Sequence, residues 1–332
     1  MATIRIADHY IPQVYDTAVG QMADQLYGLL ASGAVVSDAQ LNAFLAGPGQ
    51  SLALPMFQAL DSLGNSNVSS DDPAVLATTK KISSVPQNIP RIARNDWFAE
   101  SDFAASLATV SGLEVVMNRL GDSASKSRQG CILAMLNGVF GTALAGNVLD
   151  VSIEDGDAAT SANRFNIDTF ADAVADIFDG RYEGDEVIIA HPKVVAQMQK
   201  EMGSAKTTIN INGLEIAVKT YAQHSYFLDR QVPVVAGLTS GFKYTTYVLK
   251  PGAIVAGSAG LSTVMDDTPL AGNGSGVTQI GWREQKAYSI PGVSYTGPAN
   301  PTNANLADAD NWAVISTVTD LSKMGVGAII TN

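Results

Sequence analysis

The chain has 332 residues, of which 46% are hydrophobic and only 16% charged, and its net charge at pH 7 is −12. This length can bury the core of one large domain or two ordinary ones, and so few charges indicate that neighbours cover part of the surface. The negative charge argues against an electrostatic nucleic-acid binder. The single cysteine, Cys131, excludes an intrachain disulfide framework and a cysteine-cluster zinc site, and favours a reducing compartment.

The first 45 residues are predicted to form an N-terminal arm with one amphipathic helix. Val14, Ala18, Met22 and Leu26 recur at helical spacing, and Gly33 ends the run. No apolar run precedes the first acidic residues, so the sequence predicts no secretory signal.

Residues 46–100 are predicted to contain a long two-stranded hairpin with a polar tip. Residues 51–60 alternate toward one apolar face, turn-forming residues follow, and residues 81–92 have the pattern of a returning strand. Pro86 and Pro90 lack an N–H, so the returning strand cannot lie inside a sheet. Because a two-stranded hairpin buries too little surface to be stable alone, we expect it to lie against another copy of the chain.

A long helix is predicted over residues 113–145. Its apolar stripe consists of Leu113, Met117, Leu120, Ala124, Cys131, Met135 and Val139, and Arg128 interrupts it. Residues 131–149 form an uncharged run close to the ~20 apolar residues that a membrane span needs. Polar residues and glycines dilute this run, so a buried helix is favoured over a membrane span.

From residue 151 onward, helical and strand patterns mix as in an α+β domain. We predict a turn at 154–157, helices at 167–177 and from His191-Pro192 onward, a buried strand at 186–190, and a hairpin that turns at Asn212-Gly213. Further strands are predicted at 232–236, 244–249, 282–295 (broken near Pro291) and 312–318, with a flexible loop at 266–276 and a linker at 297–310.

The titratable residues do not form a recognisable active site or metal centre. The histidines are His9, His191 and His224, and a structural role is favoured even for His191, which lies between a strand and a helix. Glycine-rich residues 272–276 lack the Lys-Ser/Thr of a phosphate loop, and the acidic residues at 150–157 miss the calcium-loop spacing. The sequence therefore predicts no enzyme, no cofactor and no metal, and a soluble α+β enzyme is a disfavoured rival.

Seven ordered stretches carry a family resemblance: AGPGQSLALPMF at 46–57, NVSSDD at 67–72, DFAASL at 102–107, NVLD at 147–150, AHP at 190–192, YTTYVLKPGAI at 244–254 and NW at 311–312. Together with the order of predicted parts, they resemble the major capsid protein of tailed double-stranded DNA phages. That coat fold is shared with encapsulins and with the herpesvirus capsid floor domain. The resemblance covers nearly the whole chain and rests on the ordered set, not on one motif.

The resemblance implies a particular division of the chain. An N-terminal arm would occupy residues 1–45 and an extended loop residues 46–100, lying over the adjacent subunit. A peripheral domain with a long spine helix would comprise 101–150 and 277–332, and an axial α/β domain would comprise 151–276.

The resemblance also implies a structural role. Copies of the chain would assemble into hexamers and pentamers of an icosahedral phage head that encloses double-stranded DNA without sequence-specific binding and without a membrane. The implied partners are a separate scaffolding protein, a portal and a decoration protein, with assembly in the host cytoplasm and a final place in the virion. An encapsulin-like nanocompartment shell is the alternative function, because the fold alone does not decide between them.

Six residues near the base of the hairpin are the candidate inter-subunit contacts: Lys80, Lys81, Arg91, Arg94, Trp97 and Phe98. Two interpretations of the four basic residues remain open. They form a solvated strand edge, or they pair with acidic residues of the neighbouring subunit and fix the hairpin in register. The second predicts that charge reversal at Arg91 and Arg94 lowers the yield of assembly.

Overall fold

The structure of the protein is a computed structural model. It describes residues 29, 32–58, 63, 65–69, 71–72, 74, 76–101, 116, 119–178, 185–202, 205–211, 214–221, 224–269, 276–318 and 320–332. The helix predicted before residue 29 lies outside these ranges.

The described ranges fold into α-helices, strands and short 3₁₀ turns. The helices are α1 (Ala39–Ala46), α2 (Leu120–Gly141), α3 (Ile167–Phe178), α4 (Pro192–Met202) and α5 (Asn303–Ala307). The strands are β1 (Val35–Ser37), β2 (Ser51–Phe57), β3 (Ser84–Pro90), β4 (Ile92–Ser101), β5 (Val148–Asp150), β6 (Val187–Ala190), β7 (Ala205–Ile211), β8 (Leu214–Tyr221), β9 (His224–Leu228), β10 (Val234–Ala236), β11 (Phe242–Leu249), β12 (Ile254–Pro269), β13 (Gly276–Ser289), β14 (Val293–Tyr295), β15 (Trp312–Val314) and β16 (Val326–Thr331).

One sheet has the order β1-β12-β13-β4, in which only the β1–β12 pair is parallel. On one face of this sheet, Trp282 and Phe98 pack against Leu120 and Ala124 at the start of α2. We call this sheet, together with α1, the four-stranded lobe.

A second sheet has the order β5-β16-β11-β6-β9-β8-β7, with β10 paired to the end of β11. Successive side chains of a strand point to opposite faces, and β6 is buried on both. Val187 and Ile189 join the core that contains α2, whereas Ile188 and Ala190 join the core formed with α3 and α4. We call this sheet, with α3 and α4, the eight-stranded lobe.

Several predicted elements are confirmed in place. The helices at 167–178 and 192–202, the strand at 187–190 and the strand at 242–249 lie where the patterns indicate. Residues Ile211 and Leu214 pair on either side of Asn212-Gly213, as the two-residue hairpin predicts. The break near Pro291 is also present, between β13 and β14.

Three predictions for the second half are wrong. Residues 266–269, assigned to a flexible loop, extend β12 and pair with 276–279, so the side-chain polarity of Asp266 and Asp267 did not prevent strand pairing. The expected linker at 297–310 contains α5, which begins at a Thr302 capping box. The strand after Trp312 ends at Val314, and the chain closes instead with β16.

Strand pairing also crosses the expected domain boundaries. Strand β16, expected in the peripheral domain, lies between β5 and β11 in the eight-stranded lobe. Strands β12 and β4, expected in the axial domain and the extended loop, belong to the four-stranded lobe. Residues of the expected arm also pack into the body, since Leu41 and Leu45 of α1 are buried against Ile89 and Ala287.

Helix α2 is the predicted long helix, and the described members of its apolar stripe are buried. Gly138 lets α5 approach closely, because a Cβ there would lie 2.2 Å from the carbonyl oxygen of Leu306 and 2.7 Å from Nε1 of Trp312. That indole Nε1 donates to the Leu306 carbonyl at 2.8 Å, which fastens β15 to the same point.

Arg128, which interrupts the stripe, is buried in an ion pair with Glu284 of β13. Its Nε lies 3.0 and 3.1 Å from the two carboxylate oxygens, and its Nη2 lies 2.8 Å from Oε1. Lys286 Nζ lies 3.7 Å from the same carboxylate, and burial lowers the pKa of Lys286 while Glu284 opposes that shift. One carboxylate therefore compensates two buried cationic groups.

Replacing the shared carboxylate should destabilise the protein more than removing one of its partners. We expect Glu284→Gln to lower the free energy of unfolding by about 3–5 kcal/mol, because it removes the carboxylate that buried Arg128 and Lys286 share. Lys286→Met should cost less, because the Arg128–Glu284 pair remains. Urea unfolding of both variants measures the difference, and equal losses would contradict this account.

His224 is a second buried titratable group, in the eight-stranded lobe. Its Nδ1 lies 3.3 Å from Oε2 of Glu186, both side chains are inaccessible to solvent, and the ring makes an edge contact with Phe170. Burial lowers the pKa of His224, and the nearby Glu186 only partly opposes this shift. Burial also lowers the pKa of His191.

These shifts predict that stability falls on mild acidification. The unfolded chain protonates these histidines near pH 6.5, whereas the folded chain protonates them only at lower pH. The contribution is therefore fully present above pH 6.5 and is lost as pH falls from 6.5 through the lower pKa of the folded state, by up to about 1.4 kcal/mol per pH unit for each histidine. Urea unfolding at several pH values tests this, and His224→Gln should flatten part of the dependence. If the free energy of unfolding of His224→Gln depended on pH as strongly as that of the unmodified chain, His224 would not be a source of the effect.

Candidate assembly surfaces

The two paired strands of the β2–β3 hairpin are solvent-exposed along one face yet carry no charge. The sequences of its strands are SLALPMF and SVPQNIP. The inner face holds Leu52, Leu54 and Val85, whereas Ala53, Pro55, Phe57, Pro86 and their neighbours on the outer face are exposed. Phe57 is 69% exposed. Exposed large apolar groups without interspersed charge are typical of a surface that another molecule covers.

The prolines of the hairpin all occupy positions whose amides point outward. Pro55 lies opposite Pro86, and since neither has an N–H, this is a non-hydrogen-bonded pair. Hydrogen-bonded and non-hydrogen-bonded pairs alternate along the two strands, so Pro90 also lies in a non-hydrogen-bonded pair, opposite Ser51. The N–H of Gln58 donates to the carbonyl oxygen of Ser83 at 2.9 Å, as expected for a hydrogen-bonded pair. Each outer edge therefore lacks at least one backbone N–H donor, which hinders the pairing of a further strand with the hairpin. The predicted exclusion of β3 from a sheet interior is confirmed.

The base of the hairpin is fastened to its own chain through the buried side chain of Gln87. The Nε2 atom donates to Ser289 Oγ at 2.8 Å and to the carbonyl oxygens of Ile290 and Val293 at 2.8 and 2.7 Å. The Oε1 atom accepts from the N–H of Gly292 at 3.3 Å. At its base the hairpin therefore lies against its own chain, at the turn between β13 and β14, and packing of the rest of the hairpin on another copy stays a prediction.

Arg91 binds within its own chain. Its Nη2 donates to the carbonyl oxygens of Phe44 and Gly47 at 2.8 and 2.6 Å, its Nη1 donates to Gln285 at 2.9 Å, and the guanidinium lies over the Phe44 ring. These bonds close the connection between α1 and β2. Pairing of Arg91 with a neighbouring subunit stays a prediction.

Arg94 also binds within its own chain. Its Nη2 donates to the carbonyl oxygen of Pro301 at 2.5 Å and to Asn303 Oδ1 at 3.2 Å. These contacts join β4 to the segment that leads into α5. A charge reversal at Arg94 would therefore disturb the chain itself as well as any contact between copies.

The two aromatic candidates have different environments. Phe98 faces α2 and packs against the cluster around Trp282. Trp97 points to the opposite face, is 46% exposed, and lies over Gly281, where a Cβ would be 2.7 Å from the ring. A half-exposed tryptophan is a typical binding anchor, so Trp97 is the better candidate for a contact between copies.

Lys80 and Lys81 lie in the exposed segment of the hairpin beyond β3. Lys80 Nζ donates to the carbonyl oxygen of Asn65 at 2.6 Å, which ties the two sides of this segment together. Exposed apolar residues accompany them, among them Val68, Leu76 and Ile82. The structure thus brings apolar groups, as well as the two predicted lysines, to the far end of the hairpin.

The remaining candidates from the sequence were a metal site, a membrane span and the histidines. Within the described ranges, no three His, Cys, Asp or Glu residues are placed to hold a metal ion, and no helix is long and apolar enough to cross a membrane. The uncharged run at 131–149 is divided among α2, a 3₁₀ turn and β5. His191 stacks on Tyr244. His9 and residues 272–275 lie outside the described residues.

Comparison with known proteins relates this architecture to phage shells. No protein-family model matches the chain. Over 321 residues, 94% of each chain, it is 26% identical to the major capsid protein of Bacillus phage SPP1. It superposes on a chain of the cyanophage Pam1 capsid with a TM-score of 0.55, at 10% identity over 89% of this chain and 87% of that one. The chain has the phage capsid-protein fold.

A second structure agrees with this assignment. A chain of Mycobacterium phage Cain superposes with a TM-score of 0.50, at 13% identity over 95% of this chain and 98% of that one. The predicted α+β class and the resemblance to phage major capsid proteins are confirmed. In this fold the chain holds the base of its β2–β3 hairpin, and the outer face of the hairpin strands is exposed.

The sequence analysis predicted the hairpin but did not select Phe57 or Gln87 as candidate residues. The lack of charge in both strands is a sequence signal that could have led to Phe57. Gln87 gave no signal, because its partners lie more than 200 positions away in the sequence.

Removing the Gln87 amide should loosen the hairpin. We expect Gln87→Ala to cost about 1–3 kcal/mol, since it leaves buried carbonyl groups unsatisfied, and to speed amide hydrogen exchange in β2 and β3. Asn88→Ala, at an exposed neighbouring position, is the matched control. Unchanged exchange in the Gln87 variant would show that other contacts hold the base.

Proposed function

We propose that this chain is a structural major capsid protein whose copies assemble into the closed icosahedral shell of a phage head, as hexamers and pentamers. The observation that carries the proposal is a hairpin with uncharged, exposed strands, held at its base on a body with the phage capsid-protein fold. The name of the SPP1 relative supports the same function.

The hairpin face is too small to act alone. Seven residues at about 3.3 Å each make a strand about 23 Å long, and two strands offer a face of roughly 250 Å². A standard stable interface buries about 800 Å² on each partner. The hairpin is therefore one of several weak contacts per subunit, and closed symmetry repeats these contacts until the shell is stable.

The contact uses side chains and not strand pairing, because Pro55, Pro86 and Pro90 interrupt both outer edges. The outer face around Phe57 packs on the adjacent copy, and the half-exposed Trp97 of the four-stranded lobe supplies a second anchor. Lys80, Lys81, Arg91 and Arg94 are placed along the hairpin and its base, where they help to fix its register.

We divide the peripheral and axial roles between the two lobes, which moves β12 to the peripheral domain and β16 to the axial domain relative to the division that the resemblance implies. We assign the four-stranded lobe with α2 to the peripheral domain and the eight-stranded lobe to the axial domain around the five-fold and six-fold axes. The partners are further copies of the chain, a separate scaffolding protein, a portal and a decoration protein. Assembly takes place in the host cytoplasm and the product is the virion shell. The net charge of −12 would keep the inner surface from gripping packaged DNA.

Assembly should depend on the outer face of the hairpin. We expect Phe57→Asp to reduce the particle yield at least about tenfold, because it puts a charge into an apolar contact. The unfolding temperature of the unassembled protein should not change, since the residue is exposed. Phe57→Leu is the matched control and should assemble. Electron microscopy and sedimentation measure the yield, and normal particles from Phe57→Asp would refute this role.

A further inference from the structure

The eight-stranded lobe carries further exposed apolar side chains outside the hairpin. Val234 of β10, Leu238 in the following loop and Phe242 at the start of β11 are exposed, and Leu238 is 89% exposed. Val234 and Phe242 share one face of the strand pair, because Val234 pairs with Tyr244 and Ala236 with Phe242. We call Val234, Leu238 and Phe242 the apolar knob.

The loop that presents Leu238 is tightly held. The backbone N–H groups of Thr239 and Ser240 donate to the carbonyl oxygen of Glu154 at 3.0 and 3.2 Å, and the N–H of Leu238 donates to the carboxylate of Glu154 at 3.0 Å. A Cβ at Gly237 would lie 2.4 and 2.5 Å from neighbouring carbonyl oxygens, so only glycine allows this packing. These hydrogen bonds and this close packing therefore hold the exposed Leu238 in a fixed position.

An apolar cleft of about 370 Å³ lies at the junction of the hairpin with the body. Its apolar lining consists of Met56, Phe57, Pro251, Pro291, Val318 and Met324, and we call it the lysine-rimmed cleft because Lys250 and Lys323 also line it. A cavity of about 150 Å³ can already hold benzene. The cleft is thus large enough for a leucine side chain and part of its neighbours.

Knob and cleft have opposite charge at their rims. Glu154, Asp155 and Asp157 surround the knob, with Lys243 paired to Glu154. Lys250 and Lys323 flank the cleft, with Asp320 beside Lys323. The knob rim is net negative and the cleft rim net positive, which favours contact between them.

The knob cannot fill the cleft of its own chain. Phe242 and Lys250 stand at the two ends of β11, and eight steps of about 3.3 Å separate them by about 26 Å. We propose that the apolar knob of one copy docks in the lysine-rimmed cleft of a second copy. The proposal rests on the proposed shell function and names a contact within it. Two different surfaces meet, so the contact is heterologous and closes only as a ring.

Cysteine cross-linking in assembled particles tests the contact. The double variant Leu238→Cys with Val318→Cys should give a ladder of covalent oligomers on oxidation, whereas each single variant should not. Native Cys131 is buried. A ladder supports the proposal. Particles of the double variant that yield no ladder overturn it, and they leave the proposed shell function intact. Failure of the unmodified chain to form any particle would instead refute the proposed function.

If the double cysteine variant does not assemble, introducing a charge at Leu238 tests the proposed contact instead. We expect Leu238→Asp to lower the particle yield at least about tenfold, as for loss of a hot-spot residue, while Leu238→Met assembles normally. The circular dichroism and unfolding temperature of unassembled Leu238→Asp should match those of the unmodified chain. Wild-type particle yield from Leu238→Asp would overturn the proposal.

Discussion

The arrangement of the candidate contact surfaces depends on the β2–β3 hairpin. Its base is bound to the rest of the chain, and the outer face of its strands is exposed. The buried amide of Gln87 fixes the base to the turn between β13 and β14, and Ile89 packs into the core beside α1. Beyond the base, both strands are uncharged, and their outer face meets water. A fixed orientation together with uncovered apolar surface gives a directed contact, because the hairpin reaches its neighbour without first losing conformational freedom.

The body that holds the hairpin gains its rigidity from α2. This helix contributes to the core beneath the eight-stranded sheet and, at its start, packs on the four-stranded sheet. The Arg128–Glu284–Lys286 cluster joins the same helix to β13, the long strand that leads into the turn bound by Gln87. The contacts between copies that we propose at the hairpin, at Trp97 and at the apolar knob would therefore act on one connected body, so that weak contacts add to one another.

The arginines illustrate why charge patterns are hard to interpret from sequence. Arg91 and Arg94 stand near a hairpin base in an acidic chain, a pattern compatible with contacts between subunits. In the folded chain they bind backbone carbonyl groups of segments that are distant in the sequence, which no spacing rule predicts. Trp97 and Phe98 are neighbours in sequence, yet strand alternation sends them to opposite faces, one to the core and one to solvent.

The sequence by itself determined the hairpin, the long helix, the α+β class and the resemblance to phage coat proteins, because these follow from local periodicity, proline and glycine positions and ordered motifs. Only the tertiary structure decided which lobe receives β16 and β12, because strand partners are chosen by contacts between distant segments. It alone also placed Gln87 in its clamp, Arg128 against Glu284, and the knob and cleft at opposite ends of β11. These arrangements depend on three-dimensional packing, which brings together residues that carry no mutual signal along the chain.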